Sequence, residues 1–224
     1  FLESLAELEG LTQAHKYFAV EFPHPEFFVA ALKLRRYGFP IIYEILDDWE
    51  EFHKVGQAPW YMRSFEDSLV LNANVLTAVS QPLVDKFAGI RRDIHLSPNG
   101  FNPGLLGKGS HDIARKEFRG AEIHVGYFGH LTDAWFDWDL VLRVVDLARE
   151  RGEKVHFELI GYGNPDLEKR LEKYRDNVRL HGKVQPGELH KYASEWDVAM
   201  IPFKKGKLSQ AVDPLKIYEY LYFG

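Results

Sequence analysis

The chain has 224 residues, 46% hydrophobic, 27% charged and 14% aromatic, which excludes a collagen, a coiled coil and a disordered chain and leaves one large domain or two small ones, each with a core. It has no Cys, so disulfides and Cys-based zinc sites are excluded, as fits a cytoplasmic protein. A net charge of −5, from 28 basic and 33 acidic residues, argues against a general nucleic-acid binder, and no apolar run approaches the ~20 residues of a membrane span.

The sequence begins at Phe1 without an initiator Met or a signal peptide and ends at Tyr222-Phe223-Gly224. It reads as a piece of a longer protein, cut at both ends. Strands are predicted at 17–20, 41–46, 75–79, 94–97, 123–128, 155–160, 178–180 and 198–201. Most are near-continuous apolar runs, the pattern of strands buried on both faces of a parallel sheet. Helices are predicted between them. Ser80 with Pro82 starts one carrying Leu83, Val84 and Phe87. Val141, Val144, Val145 and Ala148 form a single stripe. Asn164-Pro165, read as N-cap and first helical residue, precedes Leu167, Leu171 and Tyr174. Leu189, Tyr192, Ala193 and Trp196 form the last stripe. Strands alternating with helices imply βαβ units. The turn-rich stretch from Pro98-Asn99-Gly100 to Gly109-Ser110 is long for a loop inside one domain and reads as an interdomain connection. The division expected is 1–105, a linker at 106–121, and 122–224.

The most informative segment is Asp213-Pro214-Leu215-Lys216-Ile217-Tyr218-Glu219. Asp213-Pro214 predicts a helix start, with Asp as N-cap and Pro at the first position. Lys216 then lies in the first turn, where a cation opposes the helix dipole by roughly 0.3–1 kcal/mol. An anion in front of the helix resolves the conflict, since free N–H groups and the ammonium share it. Glu219 lies one turn along on the same face. Phosphate at the tip and ribose behind it is one reading of this pair. A solvated Lys–Glu pair on a surface helix is the other.

Residues 213–221 resemble the P-x-K-x-x-E-Y-L segment of GT-B-fold glycosyltransferases, in particular the family-4-like (glycosyl transferases group 1) enzymes of surface-polysaccharide synthesis. Val125-Gly126-Tyr127-Phe128-Gly129-His130-Leu131 resembles the first strand and glycine loop of their donor domain. Phe157-Glu158-Leu159-Ile160-Gly161-Tyr162-Gly163 resembles the second, and residues 177–203 the strand, helix and strand that follow. Ile42-Tyr43-Glu44-Ile45-Leu46-Asp47-Asp48-Trp49 and the stretch from Ala78 to Gly100 resemble the late part of the acceptor domain. The resemblance spans roughly residues 15–224. It implies an α/β, GT-B-like fold of two Rossmann-like doubly wound parallel-sheet domains, both incomplete here, and a retaining, metal-independent transferase. A nucleotide-diphosphate-sugar would be the donor substrate, with no further cofactor, and a glycan or lipid-linked molecule the acceptor. A lipid carrier would bring the protein to the inner face of a membrane as a peripheral partner.

Residue by residue, the resemblance implies that Glu219 binds the ribose and that Lys216, with the backbone of Val212 and Asp213, faces the diphosphate or sugar. Gly129 would admit the backbone to the phosphates. Gly161, Gly163, Lys183 and Val184 would flank the nucleobase. The chain departs from the family in two places. Ala211 stands where the family's acidic pair has its first Glu. The family's donor-domain Arg and Lys, which neutralise the diphosphate, have no counterpart in the stretch just after Gly129; His130 and Phe136 stand near those places, and a protonated His130 would supply part of the charge. On the acceptor side, Asp47 or Asp48 would position a hydroxyl or act as general base. An acid-rich helix N-terminus, or paired aspartates on Mg²⁺ or Mn²⁺, are the other readings of that cluster. A GT-B nucleotide-sugar epimerase and a non-catalytic nucleotide- or glycan-binding module stand as alternative functions.

Overall fold

A computed structural model describes residues 16–107, 109, 120 and 122–224. The chain divides into two compact units, Phe1–Pro98 and Asn99–Gly224. The boundary lies at the head of the turn-rich stretch. Residues 99–105, counted with the first domain in the sequence reading, belong to the second unit. Their attachments are local to it: Asn99 is bonded to Asp213, and Leu106 is buried among Phe128, Ile160, Leu189 and Phe223. Most of the expected linker 106–121 lies outside the described residues.

The first unit runs β1 (Phe18–Val20), α1 (Pro25–Arg36), β2 (Ile41–Ile45), α2 (Trp49–Lys54), α3 (Arg63–Asn72), β3 (Val75–Ala78), α4 (Gln81–Phe87) and β4 (His95–Leu96). Its strands pair in parallel in the order β1-β2-β3-β4. Tyr43, Ile45, Leu76, Leu83 and Phe87 are fully buried at its centre. Helix α1 was not expected from the sequence, although Pro25 at its start, Glu26 in its first turn and Lys33, Arg35 and Arg36 in its last all suit a helix. Only Ala31 and Leu34 are buried on it, while Phe27 and Val29 are each 46% exposed, so its apolar residues do not line one face.

Glu66 on α3 is completely buried. Its carboxylate accepts from the Tyr43 hydroxyl at 3.0 Å and the Tyr61 hydroxyl at 2.8 Å. Burial raises its pKa, against the pull of both phenols and of Lys86. Removing it strands two buried hydroxyls and leaves a cavity. Glu66→Ala is therefore expected to destabilise by about 3 kcal/mol. Glu66→Gln, which keeps an acceptor, should cost roughly 1 kcal/mol or less. Urea denaturation of both variants checks the order.

The second unit runs α5 (Pro103–Leu106), β5 (Ile123–Leu131), α6 (Trp138–Arg151), β6 (Val155–Gly163), α7 (Leu167–Arg170), β7 (Val178–Gly182), α8 (Leu189–Ala193), β8 (Val198–Ala199), α9 (Lys207–Ala211) and α10 (Leu215–Phe223). Its parallel sheet has the order β7-β6-β5-β8. Helix α6 starts where Asp137 Oδ1 accepts from Leu140 N at 2.9 Å. It ends at Gly152, whose φ of 69° is left-handed. Its predicted stripe is buried at Val141, Val145 and Ala148 against Tyr127, Phe157 and Leu159. Phe128, Ile160, Leu189 and Phe223 form the second core cluster.

Two helix starts differ from expectation. Helix α7 begins at Leu167, two residues late, with Asp166 before it. Asn164 is not its cap, because its side-chain amide is turned to Asp133. Asn164 Oδ1 accepts from Asp133 N at 3.1 Å, and Nδ2 donates to Asp133 Oδ2 at 2.9 Å. The second difference, at Asp213, lies at the candidate site.

Candidate functional site

Strands β5 and β6 run past their predicted ends, through the glycines, and stay in register from Ile123↔Val155 to Leu131↔Gly163. They continue because glycine tolerates the backbone there. Gly129 has φ 144° and Gly161 φ 140°, conformations that side chains oppose. A Cβ on Gly161 would lie 1.8 Å from the Gly129 carbonyl oxygen. One on Gly163 would lie 2.4 Å from the Leu131 oxygen. The C-terminal ends of two parallel strands therefore meet backbone to backbone, the place where open α/β sheets bind ligands.

Lys216 lies across this floor. A Cβ on Gly129 would sit 2.4 Å from Lys216 Cε and 2.8 Å from the Tyr127 hydroxyl. The ammonium stands 5.6 Å from the centre of the Tyr127 ring and 5.9 Å from that of Phe203. Among the described residues it is in no ion pair. Burial lowers its pKa, and nearby Glu219 partly restores it. Glu219, one turn along α10, is itself raised by burial, an effect that Lys216 opposes. Both groups are thus partly desolvated, which a fully solvated surface pair would not be.

Helix α10 starts one residue later than predicted, at Leu215, with Pro214 in the capping position and no side-chain cap. Asp213 is not the N-cap, because other donors hold its carboxylate. Asn99 N donates to Oδ2 at 2.7 Å, and the Tyr218 hydroxyl sits 3.0 and 3.1 Å from the two oxygens. Asn99 Nδ2 also donates to the Asp213 carbonyl at 2.8 Å. The consequence is a helix start whose N–H groups face no carboxylate of their own.

His130 and Lys183 complete the cluster. The His130 and Tyr162 rings are 4.6 Å apart, with Nε2 3.1 Å from the Tyr162 hydroxyl. Lys183 Nζ sits 4.1 Å from the centre of the same Tyr162 ring. The His130 pKa is lowered, first by burial and then by Lys216 and Lys183. In the free protein the ring is thus held away from the charge that the sequence reading gave it. Phe136, the other residue near the missing basic pair, is completely buried in the core. Val184 packs on the second apolar cluster. Val212 and Asp213 lie between α9 and α10.

Gly129, His130, Gly161, Gly163, Lys183 and Lys216 are therefore brought together, with Glu219 behind Lys216. Sequence reasoning missed Tyr127, Phe203 and Tyr162. Tyr162 was legible, between two singled-out glycines. Tyr127 and Phe203 carried no signal, since only the fold sets them under Lys216.

In the first unit, Asp47 and Asp48 follow β2 and do different things. Asp48 caps α2, accepting from Glu51 N at 3.2 Å, and pairs with Lys86. The Asp47 carboxyl makes no hydrogen bond among the described residues, and its pKa is raised to about 7, by burial and then by Asp48. Among the described residues, no group of three or more His, Asp or Glu side chains is arranged to hold a metal ion. No helix among them is long and apolar enough to cross a membrane.

Residues 122–224 match the family described as glycosyl transferases group 1. No curated protein matches the chain. Among solved structures, Anabaena HepE in complex with UDP is similar over 89% of this chain and 58% of its own, at 17% identity and a TM-score of 0.54. A mutant of S. aureus TarM in complex with fondaparinux, alpha-GlcNAc-glycerol and UDP is similar over 72% of this chain and 31% of its own, at 16% identity and a TM-score of 0.50. The chain thus spans less than two thirds of either relative, and the likeness is one of fold. Two parallel-sheet units give the chain a GT-B-like fold, and residues 122–224, within the second unit, match the model of the glycosyl transferases group 1 family.

Proposed function

We propose that the protein transfers a sugar from a nucleotide-diphosphate-sugar to a glycan or lipid-linked acceptor, with retention and without a metal ion. The observation that carries this reading is the Lys216 ammonium, partly desolvated and, among the described residues, in no ion pair, lying over Gly129 at the strand ends. An ammonium held there is stabilised by an anion. The uncapped start of α10 offers further donors to the same anion. In the proposed complex the diphosphate lies over Gly129, and Glu219 accepts from the ribose hydroxyls. Gly161 and Gly163 let the base approach, with Lys183 and Val184 beside it. As the glycosidic bond breaks, negative charge gathers on the leaving diphosphate. Lys216 and the helix N–H groups, already in place, meet that charge. UDP in both solved relatives supports a uridine nucleotide.

The test is incubation of the full chain with nucleotide-sugars, with and without glycan acceptors. Acceptor-dependent diphosphate release supports transfer. Acceptor-free epimerisation supports the epimerase. Binding without turnover points to a non-catalytic module, the outcome that Ala211 favours, since it leaves the acidic pair one carboxylate short.

Asp47 is the proposed group on the acceptor hydroxyl, by its position at the end of β2 and because its carboxyl has no hydrogen-bond partner among the described residues. Its raised pKa means the fold favours the protonated form, so this contribution to stability is full below about 3.8 and lost as pH rises to about 7. Asp47→Asn should therefore be more stable than the parent above pH 7, by about 2 kcal/mol after allowing for solvent screening. Its acceptor-dependent turnover should fall. Urea denaturation at a series of pH values should show the gap opening from about pH 4 and levelling above about pH 7.

A further inference from the structure

We propose that donor binding is coupled to proton uptake by His130, so that the site carries one more positive charge when a diphosphate is bound than when it is empty. This rests on the donor-site reading above and goes beyond it by naming a regulator of affinity. The argument begins with placement. His130 sits one residue after Gly129, paired in register with Tyr162, in a cluster with two ammonium groups. Lys183 faces it across the Tyr162 ring and Lys216 lies over the adjacent glycine. Among the described residues neither lysine is in an ion pair.

The other groups around the ring do not supply a negative charge to it. Tyr162 presents a hydroxyl. Tyr127 donates its hydroxyl to the His130 carbonyl at 3.1 Å, and Trp135 meets the ring edge-on at 5.9 Å. The Asp133 carboxylate, three residues on, is occupied by Arg170 at 2.6 Å and Asn164 at 2.9 Å. Glu219 acts on Lys216.

Three basic groups in one partly buried place oppose one another, and the imidazole is the one able to yield its proton near neutrality. Burial and the two lysines hold it neutral in the free protein. A diphosphate reverses that balance, because it attracts all three. The Tyr162 hydroxyl suits both states: it donates to a bare Nε2 and accepts from a protonated one. The proton comes from solvent and no bond is made or broken elsewhere.

The experiment is calorimetry of the full chain with UDP-glucose, GDP-mannose and ADP-glucose near pH 7.5, in buffers of different ionisation enthalpy. Diphosphate diesters do not titrate in this range, so any proton taken up belongs to the protein. The expected result is net proton uptake, up to about one proton per ligand, with affinity weakening up to about tenfold per pH unit on the alkaline side. His130→Gln should abolish both effects. Uptake that survives His130→Gln, or binding that is independent of buffer and pH, overturns the proposal and leaves the donor reading standing. If none of the three ligands binds, both fail. Should the variant not fold, the His130 ring signal in the NMR spectrum of the parent decides: its pKa must rise on adding the ligand.

Discussion

Gly161→Ala is expected to destabilise the second unit by about 3 kcal/mol or more and to abolish nucleotide-sugar binding. Two effects add. The backbone at Gly161 has φ 140°, a conformation an alanine resists, and the new Cβ would lie 1.8 Å from the Gly129 carbonyl oxygen. That oxygen belongs to the neighbouring strand and cannot rotate away as a side-chain end can. The strand ends must part, and the floor under Lys216 goes with them. Gly152→Ala separates the two effects. Gly152 also has a positive φ, 69°, but nothing lies within reach of its Cβ. It should cost only about 1–2 kcal/mol, with ligand binding intact. Thermal melts and calorimetry of the two variants check the contrast. Equal losses would show that the close approach of β5 and β6 is unimportant.

Lys216→Met is expected to weaken nucleotide-sugar binding about a hundredfold, or ~2.7 kcal/mol, while the empty protein becomes more stable. Met keeps the apolar stem against Gly129, Tyr127 and Phe203 and removes only the charge. The lowered pKa of Lys216 means that folding disfavours its protonated form. Removing that form relieves the folded state at every pH below the free lysine value. Lower affinity with higher stability is a pair of changes that general damage does not produce. Glu219→Gln should act in the same direction on binding but less, by about tenfold, because it loses only ribose contacts. Asp47→Ala should leave donor binding unchanged. If it weakened binding more than Glu219→Ala does, the donor-site assignment would be wrong.

The strands were legible because their signal is local. All eight predicted apolar runs are strands, and β5 and β6 are apolar on both sides because both faces are packed, Tyr127 and Leu159 on one core cluster and Phe128 and Ile160 on the other. Helix α6 was legible for the same reason, with cap, stripe and C-terminal glycine all within it. The failures share a cause too. Asp213 and Asn164 have the right side chain for a cap, and each is used elsewhere by a partner far along the chain: Asn99 for one, Asp133 for the other. Capping preference is worth about 1 kcal/mol, so two competing hydrogen bonds decide the matter. Helix α1 was missed because the exposed Phe27, Val29 and Leu32 blur the stripe that Ala31 and Leu34 bury.

The candidate site divides along the same line. Glycines between hydrophobic strands, and a lysine three residues before a glutamate on one helix face, are patterns of neighbours, and the sequence by itself determined them. That Lys216 lies on Gly129, that Tyr162 stands between His130 and Lys183, and that Asp48 is tied to Lys86 while the Asp47 carboxyl makes no hydrogen bond among the described residues were decided only by the tertiary structure. Parallel strands are joined by long crossovers, so the residues that meet at their ends come from remote parts of the chain. Their charges, protonation and partners depend on burial and distance, which no spacing along the sequence encodes.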